Sequence, residues 1–339
     1  MIHRLTMNAP KVNDRDYIQF LIAAQRVFTC TEAATCQPEQ ADPPAHDAFT
    51  RLLARQPPDT AALWQEVRPL IRCEEGALIL DDSTLDKPYA RNMALVTWHW
   101  SGKHHRVVRG INLISLVWTD GETLLPCDFR LYDKEGDGLD KHAHARAMLA
   151  EAHRRGFRPK VVLFDGWYAS LENLKALRGY EWHWLTRLKS NRLVDPDDTG
   201  NVPIETVSIP REGRVVHLKG YGFVRVFRTV AKDGDAEYWA TSHREMTEAE
   251  RKEWARQAFG IEVYHRGIKQ CCGIEKCQAQ TEPAQRGHLQ LALRAFVRLE
   301  AHWLQTGTSW YQAKTAIIRS AVRDYLAHPL FTLASDPTA

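Results

Sequence analysis

The chain has 339 residues, 44% of them hydrophobic and 26% charged, and a formal net charge of +3. This is globular composition with enough apolar residues for a sizeable core, and the length implies two or three domains that need no disulfide or metal staple. No run reaches the roughly 18 to 20 apolar residues of a membrane span, Met1 to Tyr17 lacks the apolar stretch of a signal peptide, and the seven irregularly spaced cysteines read as reduced thiols of a soluble, cytoplasmic chain.

The first 75 residues read as a helical module. Tyr17, Phe20, Leu21 and Ala24 recur at helical spacing over Asp14 to Val27. Thr31 to Thr35 makes a second short helix, Pro38, Pro43 and Pro44 interrupt, and Ala45 to Ala54 and Thr60 to Ile71 supply two more. Such a module contacts DNA or serves as a helical cap; no helix-turn-helix pattern decides between them.

At Gly76 the character changes. Ala77 to Leu80 reads as a buried strand ending in Asp81 and Asp82. Val107 to Trp118 and Thr123 to Tyr132 read as a strand pair, Leu139 to Arg155 as a helix and Lys160 to Phe164 as a strand ending at Asp165. Leu171 to Leu177 follows as a helix and Glu181 to Leu188 as a strand. This alternation implies an α/β fold, a mixed sheet with flanking helices, over residues 76–190. Short alternating runs over 191–245 read as a β-rich insertion. Residues 246–330 are helical again: Thr247 and Glu250 can form a capping box opening a helix to Gln270, with Gly273 as its stop. A last helix spans Arg286 to Leu304, and residues 331–339 read as a loose tail.

Charge is unevenly spread. Residues 251–330 hold 12 Lys or Arg against 6 Asp or Glu, a balance of +6, whereas residues 1–250 stand near −2. A basic C-terminal third can hold a polyanion; a solvated helical surface has the same charge, and the two readings stand equal on this count.

Three acids are singled out by position. Asp82 and Asp165 close buried strands, and carboxylates at the carboxyl ends of neighbouring strands can converge. Glu262 follows the insertion on a helix where Ile261, Tyr264, His265 and Ile268 form the buried stripe, while Glu262, Arg266 and Lys269 share the adjacent one. Such an oxygen set suits Mg²⁺ or Mn²⁺, and two ions held together can activate water and stabilise a leaving oxygen. Taken singly, each acid is equally well a turn residue or a solvated helix charge, and Glu262, Arg266 and Lys269 equally well a surface ion-pair ladder.

Taken together, Leu80-Asp-Asp-Ser-Thr84, Val162-Leu-Phe-Asp-Gly-Trp-Tyr168 and Ile261-Glu-Val-Tyr-His-Arg-Gly-Ile-Lys269 resemble the three acidic motifs of the DDE transposases of bacterial insertion sequences. The resemblance runs from about Ala77 to Gln280, with Asp82 and Asp165 83 positions apart and Asp165 and Glu262 97 apart. It implies an RNase H-like catalytic domain interrupted by a β-rich insertion, two Mg²⁺ or Mn²⁺ ions held by Asp82, Asp165 and Glu262, and double-stranded DNA as substrate at element ends and target. A homodimer pairing two ends and a bacterial, nucleoid-associated location follow from the same resemblance. The family pattern sets the first acid directly before Ser or Thr, which favours Asp82; Asp81 stays open. Its Tyr-Arg-Glu-Lys signature is matched in its second half by Glu262 and Lys269. The first half would place Tyr and Arg where this chain has Ala255 and Ala258, with Trp254 and Arg256 as shifted stand-ins. By the same resemblance Lys269, Arg266 and Arg256 would contact DNA, and Trp239 or Trp254 would stack on an unpaired base, the alternative for either being an ordinary core tryptophan.

Other chemistries find no pattern. Cys271, Cys272, Cys277 and His288 lack the repeated spacing of a zinc site. There is no GxxxxGK[ST] phosphate loop, so no nucleotide cofactor is expected, and no Gly-x-Ser-x-Gly elbow. The rival functions are a stand-alone RNase H-like nuclease and a catalytically inactive DNA-binding regulator descended from a transposase.

Overall fold

The computed structural model describes residues 9–102, 104–230 and 234–331. These fall into two compact units, a helical one within 9–56, 267–279 and 283–331 and a sheet-based one within 57–266 and 280–282.

Three helices open the chain: α1 (Asp14–Ala23), α2 (Cys30–Thr35) and α3 (His46–Ala54). Asn13 caps α1 in a reciprocal box with Asp16, and Thr29 caps α2 by accepting from the Glu32 N–H. Each cap satisfies backbone donors that a helix start leaves open.

The sheet unit follows in chain order: α4 (Ala61–Val67), β1 (Ala77–Asp86), β2 (Thr97–Ser101), β3 (Arg106–Thr119), β4 (Leu125–Tyr132), α5 (Lys141–Arg154), β5 (Val161–Phe164), α6 (Leu171–Gly179) and β6 (Trp184–Leu188). Then come β7 (Leu193–Asp195), β8 (Val202–Pro203), β9 (Arg214–Leu218), β10 (Gly222–Val230), β11 (Ala236–Thr241), α7 (Glu248–Ala258) and α8 (Gly260–Cys271). The central order is β4-β3-β1-β5-β6, with β3 antiparallel to β1 and β4, and β5 and β6 parallel to the strand before them in the sheet. That is the RNase H-like arrangement. Ala77 to Leu80 of β1 and all of β5 are buried, as strands covered on both faces must be.

One sequence boundary shifts here, while the β-rich stretch extends the same sheet: β11 pairs antiparallel with β6, and β10, β9, β7 and β8 continue beyond it. The first module ends near residue 56 rather than 75, because α4 packs on the sheet unit. Trp64 lies 5.6 Å from the Phe157 ring, and the Arg155 guanidinium sits 4.7 Å over Trp64 while donating to Thr60 Oγ1 at 3.2 Å.

The helical unit is completed by α9 (Glu282–Thr306) and α10 (Trp310–Ala327). Helix α9 is buried on nearly every side, so its polar residues need partners. His288 Nε2 donates to the Gly273 carbonyl at 3.1 Å, which leaves Nδ1 to accept from the Tyr17 hydroxyl at 2.9 Å. Arg294 pairs with Asp14 at 2.6 Å. Gly287 lets α9 approach the end of α3 so closely that a Cβ there would stand 2.0 Å from the Leu53 carbonyl oxygen. The start of this helix precedes the expected Arg286, and α10 follows a helix that was expected to be the last of this helical stretch. The tail beyond Phe331 lies outside the described residues. Among the described residues, no helix is long and apolar enough to cross a membrane.

Candidate active site

Strand β1 runs antiparallel to β3 with Asp81 opposite Ser115 and Asp82 opposite Ile114. Side chains alternate between faces, so the two aspartates look in opposite directions. The Tyr264 hydroxyl of α8 lies 3.3 Å from Ser115 Oγ, and Gly260 at the start of α8 is seated against Leu124 and Ile79. Helix α8 therefore covers the face that carries Ile79, Asp81 and Ser115. On the other face the Asp82 carboxylate accepts from Asn112 Nδ2 at 2.7 Å, from the Tyr168 hydroxyl at 2.7 Å and from Lys141 Nζ of α5 at 2.8 Å.

Parallel pairing of β1 with β5 ends at Leu80 beside Phe164, so the next residues, Asp81 within β1 and Asp165 just past the end of β5, stand at the same level. Asp81, Asp165 and Glu262 line one cleft of about 280 Å³, together with Arg187, Trp239, Ala255, Ala258 and Phe259. Of the two adjacent acids left open as the first member of the trio, Asp81, and not the favoured Asp82, shares the cleft with Asp165 and Glu262. The order of letters before Ser83 could not reveal this, because the strand's period of two, and not the neighbouring residue type, decides which acid faces α8.

The structure also explains how the other two acids are seated. Asp165 caps the single 3₁₀ turn Gly166–Tyr168 through the Trp167 N–H. Gly166 has no room for a side chain, since a Cβ would lie 2.6 Å from the Arg187 carbonyl oxygen. The helix expected to run unbroken to Gln270 is divided at Phe259. Its capping box is present, with Thr247 and Glu250 in reciprocal hydrogen bonds. A Cβ on Gly260 would stand 2.9 Å from Leu124 Cδ2, so glycine allows α8 to begin close to the sheet and bring Glu262 over the cleft.

Electrostatically the two aspartates of β1 differ. Burial, then the Asp82, Asp165 and Glu262 carboxylates, push Asp81 well above the usual carboxylate range. Burial also opposes charge on Asp82, but Lys141, with the hydrogen bonds from Asn112 and Tyr168, overcomes it and holds that carboxyl below its ordinary value. Asp82 thus has its cation within the protein. The cluster of Asp81, Asp165 and Glu262 is an all-oxygen set crowded with negative charge, which a divalent cation would relieve. Among the described residues no three such side chains close into a ready metal cage. An open, oxygen-only arrangement still fits Mg²⁺ or Mn²⁺, which keep several waters.

The remaining expected residues are dispersed. Trp239 of β11 lines the cleft, half-buried between the guanidinium groups of Arg187 and Arg251, 5.8 and 5.6 Å from its ring. Trp254 is half-buried and not among the cleft's lining residues. Arg256 is exposed and paired with Glu253 at 2.6 Å. Arg266 is exposed, and Lys269, in the helical unit, pairs with Glu275 at 2.9 Å. Sequence reasoning missed Arg187 and Lys141. Arg187 stands opposite Trp239 in the β6–β11 pairing, so the cleft draws a cation and an aromatic from facing strands, while the signature positions Ala255 and Ala258 leave space.

A family model described as DDE superfamily endonuclease matches residues 13–259. The chain belongs to that family. The match ends just before Glu262. No curated protein matches the chain in sequence. Among solved structures it is similar to a piggyBac transposase synaptic complex with hairpin DNA, at 11% identity and a TM-score of 0.47, over 97% of this chain and 84% of the other. It is also similar to a Drosophila P element transposase strand transfer complex, at 9% identity and a TM-score of 0.27, over 97% and 76%. Both scores are low, and the fold assignment rests on the strand order given above.

Proposed function

We propose that this DDE endonuclease is a DNA transposase of the insertion-sequence type, which nicks element ends and joins the freed 3′-hydroxyl to target DNA, with Asp81, Asp165 and Glu262 as its acids. One observation carries the reading: carboxylates from two adjacent parallel strands and from a crossing helix line a single cleft. Two divalent ions, Mg²⁺ or Mn²⁺, would be held by these three side chains and would supply charge neutralisation at the phosphodiester and activation of water or the 3′-hydroxyl.

The chain's own groups supply the rest. Asp81 and Asp165 stand on adjacent strands of a buried sheet, so their spacing is fixed before DNA arrives. The Lys141–Asp82 pair behind the strand anchors β1 at the point where Asp81 emerges. Arg187, about half exposed and held at 2.7 Å by Glu237, is placed to turn to a phosphate at the cleft mouth. Trp239, Trp254, Arg256, Arg266 and Lys269 are proposed DNA contacts; Lys269 would exchange Glu275 for phosphate. Pairing two element ends calls for two copies of the chain in the DNA complex.

The test is a duplex bearing the sequences that flank the gene, incubated with the full-length protein and Mg²⁺ or Mn²⁺. Nicks ending in 3′-hydroxyls at the element boundary, followed by joining to added plasmid, are expected. Nicking that persists in EDTA overturns the metal chemistry; nicking without any joining points to a stand-alone nuclease.

A further inference from the structure

The passage from β1 through β2 into β3 is strongly basic and plays no part in the acidic cleft. Residues 87–110 hold five Lys or Arg and no Asp or Glu. Such a stretch attracts a polyanion. Strand β2 stands at the edge of the sheet and pairs antiparallel with the start of β3, so the two make a two-stranded ribbon.

The two faces of the ribbon are unlike. Trp98 stands opposite Arg109 and Trp100 opposite Val107, and the strand period of two puts these four side chains on one face. Trp98 and Trp100 are 64% and 63% exposed, and Val107 also lies open. The other face is packed. His99 and Ser101 are buried, and the His99 ring lies 6.0 Å from the Tyr132 ring. The Thr84 hydroxyl donates to the Trp100 carbonyl at 3.2 Å, and His104 Nε2 donates to the Asp86 carboxylate at 2.9 Å. Both bonds tie the ribbon to β1, so the outward tryptophans ride on a fixed support. Arg106 and Arg109 have no ion-pair partner among the described residues.

Two adjacent exposed tryptophans mark a contact surface, and uncompensated cations beside them select phosphates. A two-stranded ribbon fits a groove of duplex DNA, and apolar side chains set in the minor groove wedge base-pair steps. Trp98 and Trp100 are two residues apart, roughly 6.7 Å along a strand, which equals two base-pair rises of about 3.4 Å. Of the four outward side chains only Arg109 has the donors to read a base edge, so the ribbon suits DNA of no fixed sequence. We propose that the β2–β3 ribbon grips the target duplex, with Trp98 and Trp100 set in its groove and Arg106 and Arg109 on its phosphates, and holds it for attack by the freed 3′-hydroxyl. The assignment rests on the reading of the protein as a transposase that joins ends to a target.

Joining can be measured apart from cutting. Element ends supplied already cut, and therefore without flanking DNA, are incubated with full-length protein, Mg²⁺ and plasmid, and nicking of uncut ends is followed in parallel. The double variant Trp98→Ala, Trp100→Ala should join cut ends to plasmid at least about tenfold more slowly, as truncation of aromatic anchors does. Its nicking rate should stay within about twofold of wild type and its melting temperature should barely move, since both side chains are exposed. Arg109→Gln, titrated in Ca²⁺ against a duplex of unrelated sequence, should lose about 0.9 from the salt slope, one phosphate. Joining and salt slope both at wild-type values overturn the proposal. A loss confined to nicking of flanked ends also overturns it, because the ribbon then holds the flank. Lost self-association with unrelated-duplex binding intact overturns it too, because the ribbon then meets a second copy of the chain. A wild type that neither nicks nor joins contradicts the transposase reading instead, and the Arg109→Gln titration still reads the ribbon separately.

Discussion

Gly166 is the residue on which the placement of Asp165 depends, and Gly166→Ala perturbs it by one methyl group. The added Cβ would stand 2.6 Å from the Arg187 carbonyl oxygen and 3.4 Å from its carbon. Comfortable non-bonded separations are nearer 3.5 Å, so the backbone must part by roughly 0.5–1 Å. The neighbour is a strand carbonyl, not a flexible side-chain end, and cannot swing aside. Overpacking of this kind costs about 1–3 kcal/mol, which for a unit of this size is roughly 2–4 °C of melting temperature per kcal/mol. The effect on chemistry should be larger, because Asp165 moves with the turn it caps and a displacement near 1 Å costs on the order of 100-fold in rate. Nicking of an element-end duplex, measured well below the melting temperature of either protein, should therefore fall about 100-fold while binding in Ca²⁺ is kept. A variant that nicks within threefold of wild type would refute the claim that this contact fixes Asp165.

Lys141→Met leaves Asp82 without its cation in a site where both side chains are only 19% exposed, and loss of one partner of such a pair costs about 3–5 kcal/mol; adding Asp82→Asn should restore part of it, and full additivity in a double-mutant cycle would rule the pair out. Gly287→Ala drives a Cβ into the Leu53 carbonyl oxygen at 2.0 Å, so limited proteolysis should become faster within the helical unit; an unchanged cleavage pattern counts against the close packing. Burial opposes charge on Asp14, but Arg294 and Gln56 hold it below its ordinary value, so its contribution is present above the unfolded value near 4 and is lost as pH falls through the folded one. Arg294→Met should thus lower the melting temperature at pH 7 and by progressively less as pH falls below about 4; a drop that stays constant with falling pH would show that the ion pair is not the source.

Much of the central sheet was legible because each strand carries its own period. Ala77 to Leu80 and Val161 to Phe164 are apolar runs ending in acids, and the Thr247–Glu250 box marks a helix start without reference to anything distant. What was hidden depends on partners remote in sequence. Which of Asp81 and Asp82 enters the cleft is decided by Tyr264 and Gly260 of α8 meeting Ser115, Leu124 and Ile79. Arg187 joins the cleft only through its register with Trp239. The first module's extent is set by Trp64 packing on Phe157; Pro57 and Pro58 mark a break after residue 56, but nothing local tells that the helix beyond it joins the sheet unit. Two elements did leave readable signs. In β2, exposed Trp98 and Trp100 alternate with buried His99, and Ser309 with Gln312 forms a capping box at the head of α10.

The central claim is that Asp81, Asp165 and Glu262, and not Asp82, do the cutting. Rates of Mg²⁺-dependent nicking for Asp81→Asn, Asp82→Asn, Asp165→Asn and Glu262→Gln, with element-end binding in Ca²⁺ as the control for folding, test it most directly. Loss of at least about 1,000-fold is predicted for Asp81→Asn, Asp165→Asn and Glu262→Gln with binding retained, and a reduction of no more than about tenfold for Asp82→Asn, which stands outside the cleft although it gives up one acceptor oxygen and the counter-charge of Lys141. Near-normal nicking by Asp81→Asn alongside an inactive, DNA-binding Asp82→Asn would contradict the account.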